Sequence, residues 1–252
     1  MTQSMQDTAL ELFHCAIQRA DPAAAVAAQL AAEPIAPLAP GGRRIVLAVG
    51  KAAVPMMRAT LAALAEPPAA ALVVTNPENL TDVAGAEVIA GSHPVPDQSS
   101  ADAGARVLSL VQTLTAADQL IVLISGGGSA LIVAPAPGLS LADKATVNEM
   151  LLASGLEINR MNLIRQALSQ LKGGGLCRAA APAEVTALIL SDVIGDDLRA
   201  IASGPTVAPW VRRPTLARFC RPKASGTRSP LRSKPILRPP KMSARCPLRK
   251  TS

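Results

Sequence analysis

The stretch LIVLISGGGSAL, residues 120–131, runs five apolar residues into a serine, three consecutive glycines and a second serine. A short, continuous apolar run fits a strand buried on both faces, as in a parallel sheet covered by helices. Glycine at the end of such a strand carries an entropic cost, so the run marks a place where bare backbone is needed. The loop is not a Walker A motif, because no GK[ST] closes it. Gly126 and Gly128 fit the dinucleotide fingerprint, but Leu131 stands in the third glycine position. Ser129 lacks the glycine two residues later that a nucleophile elbow requires. There remains a strand-to-helix turn whose free N–H groups and two hydroxyls can surround an anion. A tight turn needing glycine for packing is the alternative, but Ser125 and Ser129 add donors that packing does not need.

Working outward, the apolar run recurs at 45–50, 71–75, 86–90 and 185–190, with helical patterns at 7–32, 101–114, 141–154 and 156–171. Alternating strands and helices predict a three-layer, Rossmann-like αβα sandwich around a mostly parallel sheet. Ligands of such sheets bind beyond the carboxyl ends of the strands. The loops there begin GKAA at 50, TNPEN at 75, GSHPVPD at 91, SGGGSA at 125 and SDVIGDD at 191. All are polar, glycine-bearing or both.

The chain has 252 residues and a formal charge of +7, which suggests a nucleic-acid partner until the charge is divided. Residues 1–208 hold 12 Lys and Arg against 18 Asp and Glu, whereas residues 209–252 hold 13 Lys and Arg and no acid. We therefore read two objects, an acidic domain over 1–208 and a basic segment over 209–252. The four cysteines form no CxxC pair, which argues against a disulfide framework or zinc site. No stretch has a membrane span's length or a secretion signal's layout, so the expected location is cytoplasmic. With no Tyr and two Phe, the core must be built from Ala, Leu, Val and Ile.

Lys51 stands directly after the first strand, where a cation at a helix start is disfavoured unless an anion joins it. A solvated surface lysine is the alternative. Asp192, Asp196 and Asp197 could hold Mg²⁺ beside phosphate oxygens, or could cap a helix. On the helix after Gly155, Asn159, Asn162, Gln166 and Ser169 form a polar stripe beside Arg165. Lys172 is expected to close that helix before Gly173. A polar stripe reads first as a solvated face. His93 is a candidate acid–base or a loop residue, and the 203–206 turn adds Ser203, Gly204 and Thr206. An anion cradle, a lysine and an aspartate cluster together are the parts phosphoryl transfer needs.

VGKAA at 49, GSHPVPD, LISGGGSAL, SGLEINRMNLIRQALSQLKGGGL at 154 and LILSDVIGDDLRAIASGPT at 188 resemble the two-domain glycerate 2-kinases, whose members are also labelled hydroxypyruvate reductases. The resemblance runs over residues 5–207. It implies ATP- and Mg²⁺-dependent phosphorylation of D-glycerate on its 2-hydroxyl, in a cleft between a large αβα domain and a smaller C-terminal, MOFRL-type domain. Lys51, Asp192 and Asp197 match catalytic positions. Ser125, Gly126, Gly127, Gly128 and Ser129 match the phosphate loop, with Lys172, Ser203, Gly204 and Thr206 as further nucleotide contacts. His93, Asn162 and Arg165 are placed toward substrate, and Asp192 and Asp196 toward the metal. D-glycerate and nucleotide are the expected partners, with no nucleic acid or membrane and with an oligomer left open.

After SGPT the resemblance stops. Residues 209–252 carry eight prolines and no helical or strand period, so they are expected to be disordered. The expectation is an out-of-frame tail in place of the second domain, and impaired turnover with it. A genuine basic tail that binds RNA or a membrane is the alternative. An NAD(P)H-dependent hydroxypyruvate reductase and a non-catalytic nucleotide-binding remnant are the competing functions.

Overall fold

The computed structural model describes residues 4–156, 158–209 and 248–251. Two helices, α1 (Met5–Arg19) and α2 (Pro22–Ala32), precede the alternation β1 (Arg44–Val49), α3 (Ala53–Ala63), β2 (Ala70–Thr75), β3 (Glu87–Ala90), α4 (Gln98–Val111) and β4 (Gln119–Ile124). Then come α5 (Gly128–Leu131), α6 (Leu141–Ala153), α7 (Ile158–Ala167), α8 (Gly175–Ala180), β5 (Glu184–Leu190) and β6 (Leu248–Thr251). The five expected strands are present and run parallel in the order β3-β2-β1-β4-β5.

The sequence pattern of continuous apolar strands has a direct structural cause. Ile45, Leu47 and Val49 of β1, with Leu120, Val122 and Ile124 of β4, face one core packed under α4 and α8. Val46 and Ala48, with Ile121 and Leu123, face a second core under α2 and α3, where Val26, Leu30, Met56 and Met57 close it. Each strand is covered on both faces, so alternation disappears from the sequence. Truncating a side chain such as Leu47 or Leu123 to Ala would cost about 2–5 kcal/mol in transfer and cavity energy.

Two expectations change in detail. The pattern over 7–32 predicts one helix, but the chain breaks it at Asp21, whose carboxylate caps Ala23 and Ala24 at 2.7 and 2.9 Å ahead of Pro22. Leu10, Phe13 and Ile17, at helical spacing on α1, stay more than half exposed. The helix expected to end at Lys172 ends at Ala167.

Of the segment expected to be disordered, residues 210–247 and Ser252 lie outside the described residues. Residues 248–251 run parallel to β5 as β6, on the edge where β5 offers unpaired backbone groups. Among the described residues, no helix is long and apolar enough to cross a membrane.

At the N-terminal edge of the sheet, Asp118 is 2 % exposed and saturated. It accepts from Arg43 N at 2.7 Å, Arg43 NH2 at 2.8 Å and Thr115 N at 2.8 Å. The Arg43 hydrogen bonds, helped by those from Thr115, hold its carboxyl well below the usual carboxylate range against the cost of burial.

Candidate functional site

The strand order reverses between β1 and β4, since β2 and β3 lie to one side and β5 to the other. The crevice above that switch point is where an open parallel sheet receives ligands. The chain brings the end of β1 against the end of β4. Gly50 (φ 131°) passes so close to Ser125 that a Cβ would collide with the serine hydroxyl and carbonyl. Lys51 N donates to Gly126 O at 2.9 Å, and Ala52 N donates to Ser125 Oγ at 3.1 Å. Gly50 and Ser125 therefore fix one loop on the other.

Three predicted side chains meet at the glycines. Gly127 (φ 87°) has His93 and Lys51 above it, and a Cβ there would sit 3.2 Å from His93 Cδ2 and from Lys51 Cγ. Gly126 faces Asp192, with whose Oδ2 a Cβ there would collide. Gly128 begins α5 beneath Ala202, with a Cβ-to-Cβ distance of only 3.0 Å had it carried a side chain. The bare backbone that the sequence demanded is thus needed for packing at Gly128, while at Gly126 and Gly127 it leaves room for functional side chains to close in. Lys51 is exposed.

The other predicted residues separate. Asp197 pairs with Arg199 at 2.9 Å and turns the chain into the 3-10 segment Ile201–Ser203. Asp196 is exposed with φ 50°. Among the described residues no group of three His, Cys, Asp or Glu gathers as a metal site, so the aspartates do not form the crowded triad the spacing suggested. The loop spreads them: Val193 N and Asp196 N are drawn into local turns. Ser203 is buried, with its hydroxyl 2.6 Å from Ser129 Oγ. Gly204 O accepts from Gly174 N at 2.8 Å, and the Thr206 hydroxyl is buried without a partner. These three residues pack beneath the loop.

The expected solvated stripe on α7 is not solvated. Gln166 and Ser169 are buried, and Gln166 Nε2 donates to Arg199 O and Ser203 O. The side chain of Asn159 lies outside the described residues. Arg165 reaches Asn148 Oδ1 at 2.5 Å, with Asn162 Oδ1 at 3.5 Å. Lys172, beyond the helix end, is buried and donates to Ser129 Oγ at 3.1 Å. Burial, reinforced by Lys144 and Arg165, pushes its ammonium down to about 7.

The sequence reading missed Lys144, Asn148 and Glu78. Lys144 is pushed down to about 8 by burial, and its Nζ has no hydrogen-bond partner. A legible signal existed: Ser140 and Asp143 form a capping box that fixes the start of α6, and Lys144 and Asn148 then share a face at i, i+4. Glu78 is held below the usual carboxylate range, chiefly by its own backbone amide and Asn76, with His93 and Lys51 adding to this.

The fold is shared with known proteins. A family described as a domain of unknown function (DUF4147) matches residues 8–221. A glycerate kinase structure from Thermotoga maritima superposes with a TM-score of 0.74 at 37% identity, over 80% of this chain and 47% of that one. The chain belongs to the glycerate kinase family. A glycerate kinase of Rattus norvegicus is 57% identical over 114 residues, which are 45% of this chain and 22% of the relative. A protein of Agrobacterium vitis, provisionally named a hydroxypyruvate reductase, is 44% identical over 197 residues, 78% of this chain and 44% of the relative. The chain spans less than half the length of each of these three proteins.

Proposed function

We propose that this domain binds a magnesium nucleoside triphosphate, ATP, and takes part in phosphoryl transfer to the 2-hydroxyl of D-glycerate, giving 2-phosphoglycerate. One observation carries the reading: Lys51, His93 and Asp192 close on the bare backbone of Gly126 and Gly127 at the switch point. The fit to a triphosphate rests on that cradle, which a single Cβ would fill, and on a lysine with room to meet an anion. ATP with Mg²⁺ supplies the phosphoryl group when bound. Lys51 and the amides of the 126–129 turn would hold phosphate oxygens and offset charge as it develops. Asp192 would ligand the cation or accept the hydroxyl proton, with Asp196 as a further, more peripheral ligand. His93 would orient the acid. Asp197, engaged with Arg199, would shape the loop.

The test is calorimetric titration of the full chain with Mg–ATP, followed by a radiolabel assay for transfer to D-glycerate. Saturable Mg–ATP binding that weakens about tenfold in Lys51→Ala supports the reading; absence of nucleotide binding ends it. The name carried by the Agrobacterium relative motivates a second reading, an NAD(P)H-dependent hydroxypyruvate reductase. Leu131, fully buried where the dinucleotide fingerprint has its third glycine, weighs against it. Loss of NADH absorbance on adding hydroxypyruvate would favour it.

A further inference from the structure

Beside the cradle lies a cavity of about 350 Å³, walled by the Pro94–Pro96 loop, Ser129 of α5, Lys144 and Asn148 of α6, Arg165 of α7 and Lys172. Three cations from three different segments line one space. Their bonded partners are all neutral: Arg165 has two asparagine oxygens, Lys172 has the Ser129 hydroxyl, and Lys144 Nζ is buried with nothing at all. Glu149, at the exposed side of α6, is the one carboxylate in the lining among the described residues. Burying an unpaired ammonium costs free energy, and crowding three like charges costs more. A fold tolerates such a grouping where a ligand of opposite charge completes it.

We propose that this cavity is a dianion site that takes a phosphoryl group, with Lys144 and Arg165 as its walls and Lys172 and the Ser129 hydroxyl at its floor. A dianion balances Lys144 and Arg165, while a monocarboxylate would leave one of them uncompensated. The planar fork of Arg165, braced by Asn148 and Asn162, suits two oxygens of a tetrahedral group. Ser129 joins this cavity to the glycine turn, so an anion here would lie next to whatever the cradle holds. The assignment deepens the kinase reading by naming the chemistry of its second subsite. It rests on that reading only for which phosphoryl compound arrives.

Sulfate is the probe, because its charge stays at two across the working pH range. Titrated into the full chain, sulfate should bind with one-to-one stoichiometry. Lys144→Met should weaken it about tenfold or more, as expected for loss of a charged hydrogen-bond donor, while Lys144→Arg stays close to wild type. The groups acting on Lys172 are Lys144 from α6 and Arg165 from α7 by charge and Ser129 from α5 by hydrogen bond, with Glu149 of α6 in the same lining and Ser203 bonded to Ser129. Lys172 and Lys144 both shed their protons between pH 6 and 9, so affinity should fall as pH rises over that range, and Lys172→Met should remove the part of the fall that sets in near neutrality. Circular dichroism melting checks each variant, and Arg165→Gln replaces Lys144→Met if the latter fails to fold. Competition by ADP or by 2-phosphoglycerate then identifies the natural source of the phosphoryl group. Failure of sulfate to saturate, unchanged affinity in Lys144→Met, a pH profile identical in wild type and Lys172→Met, or displacement by D-glycerate alone would each overturn the assignment. A negative kinase assay leaves the sulfate result standing, so the two failures are distinguishable.

Discussion

The two edges of the sheet treat charge in opposite ways. At the N-terminal edge Asp118 is buried and every lone pair it presents is met by Arg43 or Thr115. At the C-terminal edge Lys144 Nζ is buried with no hydrogen-bond partner, Lys172 holds one hydroxyl, and Lys51 stands exposed over glycine. One edge uses charge to tie strands together. The other keeps charge uncompensated, which is costly for stability and useful only if something else binds there. The contrast can be attacked from both sides.

The largest effect is expected at the tied edge. Asp118→Ala leaves Arg43 and Thr115 without their acceptor and should cost about 3 kcal/mol, a drop in melting temperature on the order of 10 °C. The folded carboxyl titrates below its unfolded value, so its contribution is present above about pH 4 and is lost as pH falls further. Denaturant midpoints at pH 3, 4 and 6 should therefore converge between wild type and Asp118→Asn at the acid end. Parallel curves would refute the assignment.

At the other edge the sign reverses. Lys172 binds its proton less readily when folded than when unfolded, so it burdens the fold most below pH 7, and the burden fades as pH approaches 10.5. Lys172→Met should raise stability by about 2 kcal/mol at pH 6, with the gain shrinking towards pH 10. A loss of stability at pH 6 would show that Lys172 is already compensated within the protein and would erase the contrast.

The smallest structural effect is expected at Lys51. Lys51→Ala should leave stability within about 0.5 kcal/mol, as for exposed positions generally, while Mg–ATP affinity falls about tenfold. Equal binding by both proteins would remove Lys51 from the site without touching the fold.

Most of the scaffold was readable because doubly covered strands are simply apolar runs: each of the five expected strands lies within a residue of its observed bounds. The cradle was readable for a related reason, since three glycines and flanking serines at a strand end have few other uses. What escaped depended on tertiary placement. Lys172 has the spacing of a helix-closing lysine, and only the end of α7 at Ala167 and the approach of Ser129 turn it inward. Lys144 reads as one more charge on an amphipathic helix until α6 is laid against the glycine turn. The three aspartates look like one cluster in sequence, yet Asp197 is taken by Arg199 two residues on, a local pairing that spacing alone does not reveal.

The β1–β4 pairing, Arg44 to Val49 against Gln119 to Ile124, joins the part of the chain that supplies Lys51, Glu78 and His93 to the part that supplies residues 125–129 and Asp192. Neither part holds a complete cradle alone. A compound settling there acts as a rivet across the seam, and deuterium uptake should slow on both sides of it together rather than in one loop.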